Sequence, residues 1–184
     1  MLTVRHNQRG FSLIELAAAM AVVAVLMALG TPSFRTWIQN TQLRTASESI
    51  SAGLQLARAE AVRLNTNVQF TLTGATLQDW TVGCVTPVGD LNGDGIADCP
   101  ATIQSRSGTE GTPNAQVAAN VTNVIFSGLG RANTAMTLNL TNSTGGTCMA
   151  AGGPMRCLNI LVTTGGQVRM CNPNINRNTN PQGC

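Results

Sequence analysis

Along the chain the hydrophobic pattern changes three times. Residues 1–10, "MLTVRHNQRG", are polar and basic. From Phe11 to Gly30 almost every position is apolar, with only Ser12 and Glu15 strongly polar. Twenty helical residues span about 30 Å, the thickness of a bilayer core, so the run predicts a membrane-length helix over 11–31. After Pro32, apolar residues recur at Phe34, Ile38, Ala46, Ile50, Leu54, Ala57, Ala61 and Leu64. Steps of this kind mark one face of a helix, and Arg35, Arg44, Glu48, Arg58, Glu60 and Arg63 fall off that face. One long helix from Phe11 to about Leu64 is expected, with 32–65 as its amphipathic half. Pro32 lacks a backbone donor and marks a kink, while Asn65 and Asn67 are candidate stops.

From residue 67 onward the pattern shortens to alternating runs. Strands are predicted at 67–73, 79–85, 101–106, 117–126, 136–141, 158–164 and 167–170, separated by turns such as "SGLGR" and "TGG". No second long helix is present to cover a parallel sheet, so the sheet is expected to be antiparallel. The fold class is α+β, with residues 66–184 as the sheet domain.

Six cysteines, Cys84, Cys99, Cys148, Cys157, Cys171 and Cys184, all follow the apolar run. An even count behind an export-type N-terminus points to disulfides in an oxidising compartment. Six cysteines allow 15 pairings. The sequential set Cys84–Cys99, Cys148–Cys157 and Cys171–Cys184 is preferred, because each pair closes a short loop rich in Gly, Asn or Pro. A metal-thiolate site is disfavoured, since no CxxC spacing occurs and no histidine lies near.

The chemistry available is narrow. All eleven basic residues are arginine, tyrosine is absent, and the only histidine is His6. Past the first ten residues the usual general bases and most nucleophiles are missing. No catalytic residue is assigned, and the chain is not read as an enzyme. "DLNGDGIAD" places Asp90, Asn92, Asp94 and Asp98 at positions one, three, five and nine of a calcium-type loop, with Gly95 at six. Ala101 stands where such a loop carries its bidentate glutamate, so a Gly/Asp turn without an ion is the competing reading. Beyond Glu110 no acidic residue remains, whereas Arg131, Arg156, Arg169 and Arg177 do. Arginines on one face suit phosphate contacts, which makes DNA a candidate partner; an ordinary solvated surface is the alternative.

Glu15 is the residue that a plain anchor or a cleaved signal peptide leaves unexplained. A signal peptide predicts a short apolar core and a small-residue cleavage site, and no A-x-A sequence precedes Thr31. Charged residues inside a membrane helix are costly and usually functional. "RGFSLIEL", residues 9–16, resembles the prepilin signature of type IV pilins and of the related pseudopilins of type II secretion. The resemblance implies cleavage by prepilin peptidase after Gly10 and N-methylation of Phe11. Glu15 then becomes the fifth residue of the mature chain, placed to meet a neighbour's new N-terminal ammonium. Pairing two charges in an apolar core offsets their desolvation and fixes register. Pro32 falls where the family often has a helix-bending proline.

"LARAEAVRLN", residues 56–65, and the succession "VIFSGLGR", "MTLNLT" and "LNILVTTGGQVRM" are similar to the GspH/FimT-type branch of that family. The branch implies a type IV pilin-like fold, one long N-terminal helix packed on an antiparallel sheet. It also implies a leader at 1–10 and a minor pilin that enters the pilus or its tip or initiation complex as a structural subunit. An H-type pseudopilin of type II secretion is the alternative. A DNA-binding minor pilin is a further one, with Arg131, Arg169 and Arg177 as contacts. The Gly-Arg-x-Arg motif of such pilins aligns with Gly166, Gln167, Val168 and Arg169, so its first arginine is replaced. Implied partners are prepilin peptidase, other pilins or pseudopilins and the inner membrane. Arg5 and Arg9 ahead of the span would keep that end cytoplasmic. The remainder would be periplasmic and later on the pilus at the cell surface.

Overall fold

Helix α1 runs from Leu13 to Leu64, in a computed structural model that describes residues 12–184 apart from 92, 94 and 96. The chain divides into two compact units, Met1–Arg35 and Thr36–Cys184. In the first, the described residues are helical from Leu13 onward, and their large apolar side chains are exposed, from Leu13 at 87% to Met27 at 67%. No single helix among the described residues is long and apolar enough to cross a membrane. Leu13–Ala28 and Ser33–Leu64 pass that test together, joined across a break that contains Pro32.

In the second unit α1 is amphipathic. Leu43, Ala46, Ile50, Leu54, Ala57 and Ala61 are all buried, a stripe with steps of three and four. Ser47 is buried in the same face and satisfies its hydroxyl by donating to the Leu43 carbonyl at 2.8 Å. The face predicted from spacing is observed from Ala46 to Ala61, with Leu43 added. Phe34 does not belong to it; it lies in the first unit and is 61% exposed. The helix ends in a Schellman turn. Thr66 N–H donates to the Ala61 carbonyl and Asn65 N–H to that of Val62, at 3.1 and 3.3 Å, while Asn65 sits at φ 48°. Asparagine is among the few non-glycine residues that tolerate this left-handed position.

Two antiparallel four-stranded sheets follow. The first has the order β3-β2-β1-β5, from β1 (Val68–Thr73), β2 (Asp79–Cys84), β3 (Gln104–Arg106) and β5 (Asn123–Phe126). The second has the order β4-β6-β7-β8, from β4 (Ala115–Ala119), β6 (Met136–Asn142), β7 (Leu158–Val162) and β8 (Val168–Cys171). The single strand predicted over 117–126 is thus two strands in different sheets. No Gly or Pro interrupts "VAANVTNVIF", but Asn120 turns the chain: its side chain accepts from Thr137 N–H at 2.7 Å and donates to the Ala135 carbonyl at 3.2 Å. Those bonds replace the ladder where the chain leaves β4 for β5.

Alternation decides which side chains point inward. Val68, Phe70 and Leu72 of β1 and Met136, Leu138 and Leu140 of β6 are buried, and they join the helix stripe in one core. Helix and first sheet approach closely at Gly53. A Cβ there would stand 2.9 Å from Phe70 Cε2 and 3.0 Å from the Trp80 ring. Glycine in a helix interior costs about 1 kcal/mol relative to alanine; here it lets the helix rest on the stacked Phe70–Trp80 pair, whose centroids are 5.9 Å apart. Trp80 Nε1 donates to Ser49 Oγ at 3.0 Å, one helical turn earlier.

Candidate functional site

The sequence concentrates its chemistry at the start of α1. Ser12 is the residue before the helix, and its Oγ accepts from Glu15 N–H at 3.3 Å. The Ser12 carbonyl accepts from the N–H groups of Glu15 and Leu16, each at 3.1 Å. A serine with a glutamate three residues later is the sequence pattern of a capping box. This role for Ser12 was missed by the sequence reading, although the "SLIE" spacing carries it. The cap satisfies backbone donors at the helix start, and a carboxylate in the first turn is favoured by the helix dipole. Glu15 is exposed, surrounded along the helix by the uncovered apolar residues Leu13, Ile14 and Leu16. Gly10 and Phe11, the cleavage and methylation positions, lie outside the described residues. Pro32 lies within α1.

All six cysteines are bonded, as Cys84–Cys99, Cys148–Cys157 and Cys171–Cys184, with Cα–Cα distances of 5.8, 5.4 and 5.1 Å. Their separations of 15, 9 and 13 residues make each one a local loop closure. Constraining the unfolded chain in this way is worth about 3 kcal/mol for a 15-residue loop. The first bridge ties the end of β2 to a short antiparallel bridge between Val88 and Cys99.

The acidic segment forms the tip of that hairpin. Asp90 accepts from the N–H groups of Gly93 and Gly95, each at 2.6 Å, and Asp98 Oδ2 accepts from Leu91 N–H at 2.8 Å. Both carboxylates therefore help close the loop on its own backbone. Asn92 and Asp94 lie outside the described residues. Among the described residues no group of three or more His, Cys, Asp or Glu side chains gathers as a metal cluster would.

The three candidate phosphate contacts have different surroundings. Arg131 and Arg177 are exposed. Arg169 is half-buried in β8; its Nη1 donates to the Gly183 carbonyl at 3.2 Å, and its Nη2 is enclosed without a hydrogen-bond partner. That guanidinium fastens the C-terminal tail beside the Cys171–Cys184 bridge. Gly166 also has a packing role: it is buried at φ 80°, and a Cβ there would collide with the Gly130 carbonyl. Arg58 Nε donates to that same carbonyl at 3.1 Å, joining helix and turn. Gly166 and Arg169 of the aligned segment are thus built into the domain, while Gln167 between them is exposed.

Comparison with known proteins agrees with this architecture. Residues 46–166 match the family described as type II transport protein GspH, and residues 5–31 match the prokaryotic N-terminal methylation motif. A fimbrial protein of Pseudomonas aeruginosa is 31% identical over 113 residues, covering 55% of this chain and 72% of its own length. The type IV major fimbrial protein FimA of Dichelobacter nodosus is 30% identical over 115 residues, 62% of this chain and 59% of its own. In three dimensions the chain is similar to the type IV minor pilin FimU of Pseudomonas aeruginosa, with TM-score 0.52, 15% identity and coverage of 73% of this chain and 91% of that one. The minor pseudopilin EpsH of the Vibrio cholerae type 2 secretion system gives TM-score 0.51, 14% identity and coverage of 73% and 99%. With its helix on antiparallel sheets and its methylation motif, the chain belongs to the GspH family of type IV pilin-like proteins.

Proposed function

We propose that this chain is a minor type IV pilin: cut after Gly10 by prepilin peptidase, N-methylated at Phe11, and held in the inner membrane until it joins a pilus or its tip complex. It serves there as a structural subunit and not as an enzyme. The observation that carries the reading is the uncovered apolar helix, on which Leu13, Ile14, Leu16, Met20, Leu26 and Met27 are each more than half exposed. Burying such side chains is worth about 1.5–3 kcal/mol each, so they demand lipid first and neighbouring helices afterwards. Glu15 in that surface is tolerable once it meets a partner's terminal amine. Three bonded cysteine pairs support a periplasmic and then external location for the sheet domain.

The H-type pseudopilin of type II secretion shares all of this N-terminal chemistry. The fimbrial identities of the sequence relatives favour the pilus. Mass spectrometry of the mature N-terminus and of sheared surface fibres tests both points. Methyl-phenylalanine at Phe11 and peptides of this chain in the fibres are expected. A mature start at or after Thr31 would overturn the pilin reading, and absence from fibres in cells with working secretion would transfer it to the pseudopilin.

A further inference from the structure

The second unit carries a groove of about 500 Å³ that none of the preceding chemistry uses. Its walls include Trp37, Thr41, Arg44 and Glu48 from α1, with Arg156 and Leu158 across from them. Two features distinguish it. The chain has only two tryptophans; Trp80 is 3% exposed in the core, whereas Trp37 is 63% exposed. The groove's titratable lining is Arg44, Glu48 and Arg156, one positive charge in excess. Arg44 is matched by Glu48 at 2.8 Å, which through its hydrogen bond and then its charge raises the Arg44 pKa above the ordinary guanidinium value. Arg156 has no ion pair among the described residues; its backbone N–H is fixed by Asn40 Oδ1 at 2.7 Å, so the position is set while the guanidinium stays outside.

We infer that this groove seats the phosphate headgroup of an anionic lipid while the subunit waits in the membrane. The inference rests on the membrane-anchored reading above. Trp37 stands seven residues beyond Gly30, the end of the apolar run, and at about 1.5 Å of rise per residue that is about 10 Å along the chain, at the outer side of a headgroup layer about 5–8 Å deep. An indole with an apolar body and one N–H donor is suited to that layer. Arginine adds a fork of donors that matches phosphate. Lipid, unlike free phosphate, accounts for the exposed aromatic as well as the charge.

The test uses the full chain reconstituted in vesicles, with quenching of tryptophan by the uncharged quencher acrylamide as the readout. Trp80 is shielded by the core, so quenching reports Trp37, and Trp37→Phe confirms the assignment. Protection of Trp37 is expected in vesicles containing phosphatidylglycerol and not in pure phosphatidylcholine. Arg156→Gln should weaken the equilibrium between protected and unprotected Trp37 about fivefold, the effect of one arginine at an anionic surface. Equal quenching in both vesicle types would overturn the inference. So would protection in phosphatidylcholine on adding inorganic phosphate or duplex DNA, which would reassign the groove to those ligands. Extraction of the chain by alkaline carbonate would overturn the anchoring reading and the groove assignment together; retention with unprotected Trp37 would overturn the groove alone.

Discussion

The same helix is built to two opposite rules. In residues 13–27 it exposes nearly every large apolar side chain; between Leu43 and Ala61 it buries a single stripe and turns arginines and glutamates outward. The second stretch is complete within one molecule: its stripe meets β1 and β6, Gly53 admits the Phe70–Trp80 pair, and a Schellman turn ends it. The first stretch is incomplete, because nothing among the described residues covers it. A domain that folds alone needs one polar and one apolar face, whereas a segment meant to be enclosed on all sides can be apolar all round. The contrast separates what stabilises the subunit from what assembles it.

Glu15→Ala should break the comparison most sharply. Leaving a partner's terminal amine unmatched in an apolar core costs about 3–5 kcal/mol, so the variant is expected to vanish from sheared fibres while its domain melts as the parent does. Immunoblots of fibres beside thermal unfolding of the purified chain would check both halves. Unaltered incorporation would mean that the carboxylate does no more than complement the helix dipole in the first turn.

A paired truncation tests the two stretches against one another. Leu54→Ala empties a fully buried site and should destabilise the chain by about 2–5 kcal/mol. Leu16→Ala, at 59% exposure, should leave unfolding in detergent unchanged within about 0.5 kcal/mol. Circular dichroism melts of both variants would measure the difference, and equal losses would mean that the N-terminal stretch shares the domain core.

Gly53→Ala should cost about 1 kcal/mol net, since overpacking of about 1–3 kcal/mol exceeds the helix propensity regained. Stabilisation instead would show that Trp80 yields easily. The smallest effects are expected from ligands. Millimolar calcium should not move the melting temperature, because the Asp90 and Asp98 carboxylates already hold the loop backbone. Duplex DNA at low salt should shift the Arg131→Ala and parent domains alike; a clear loss in the variant would favour the DNA-binding reading.

Much of this was legible along the chain, and the reasons are local. The apolar run, the stripe from Ala46 to Ala61 and most strands are written in contiguous patterns. The stripe was extended to Phe34 because a step of four continues the pattern, and spacing does not record where the second unit begins. The break at Asn120 was invisible because its cause is a pair of bonds to residues 135 and 137, where β6 begins. Arg169 looked like a free surface cation because its acceptor is a backbone carbonyl fourteen residues away. Such tethers leave no trace in composition or period. Ser12 and Gly53, by contrast, were within reach: a capping-box spacing and a glycine in mid-helix each ask for a structural reason.

None of the three cross-links is anchored in the helix. Every cysteine lies beyond residue 83, so the covalent staples harden the outer loops and leave the seam between α1 and the sheets to noncovalent packing. In a fibre made of such subunits, load entering through the helix would reach the sheets across Leu43, Ile50 and Leu54. Mechanical endurance would then be set by that greasy seam, and oxidation would guard the exterior without adding to tensile strength.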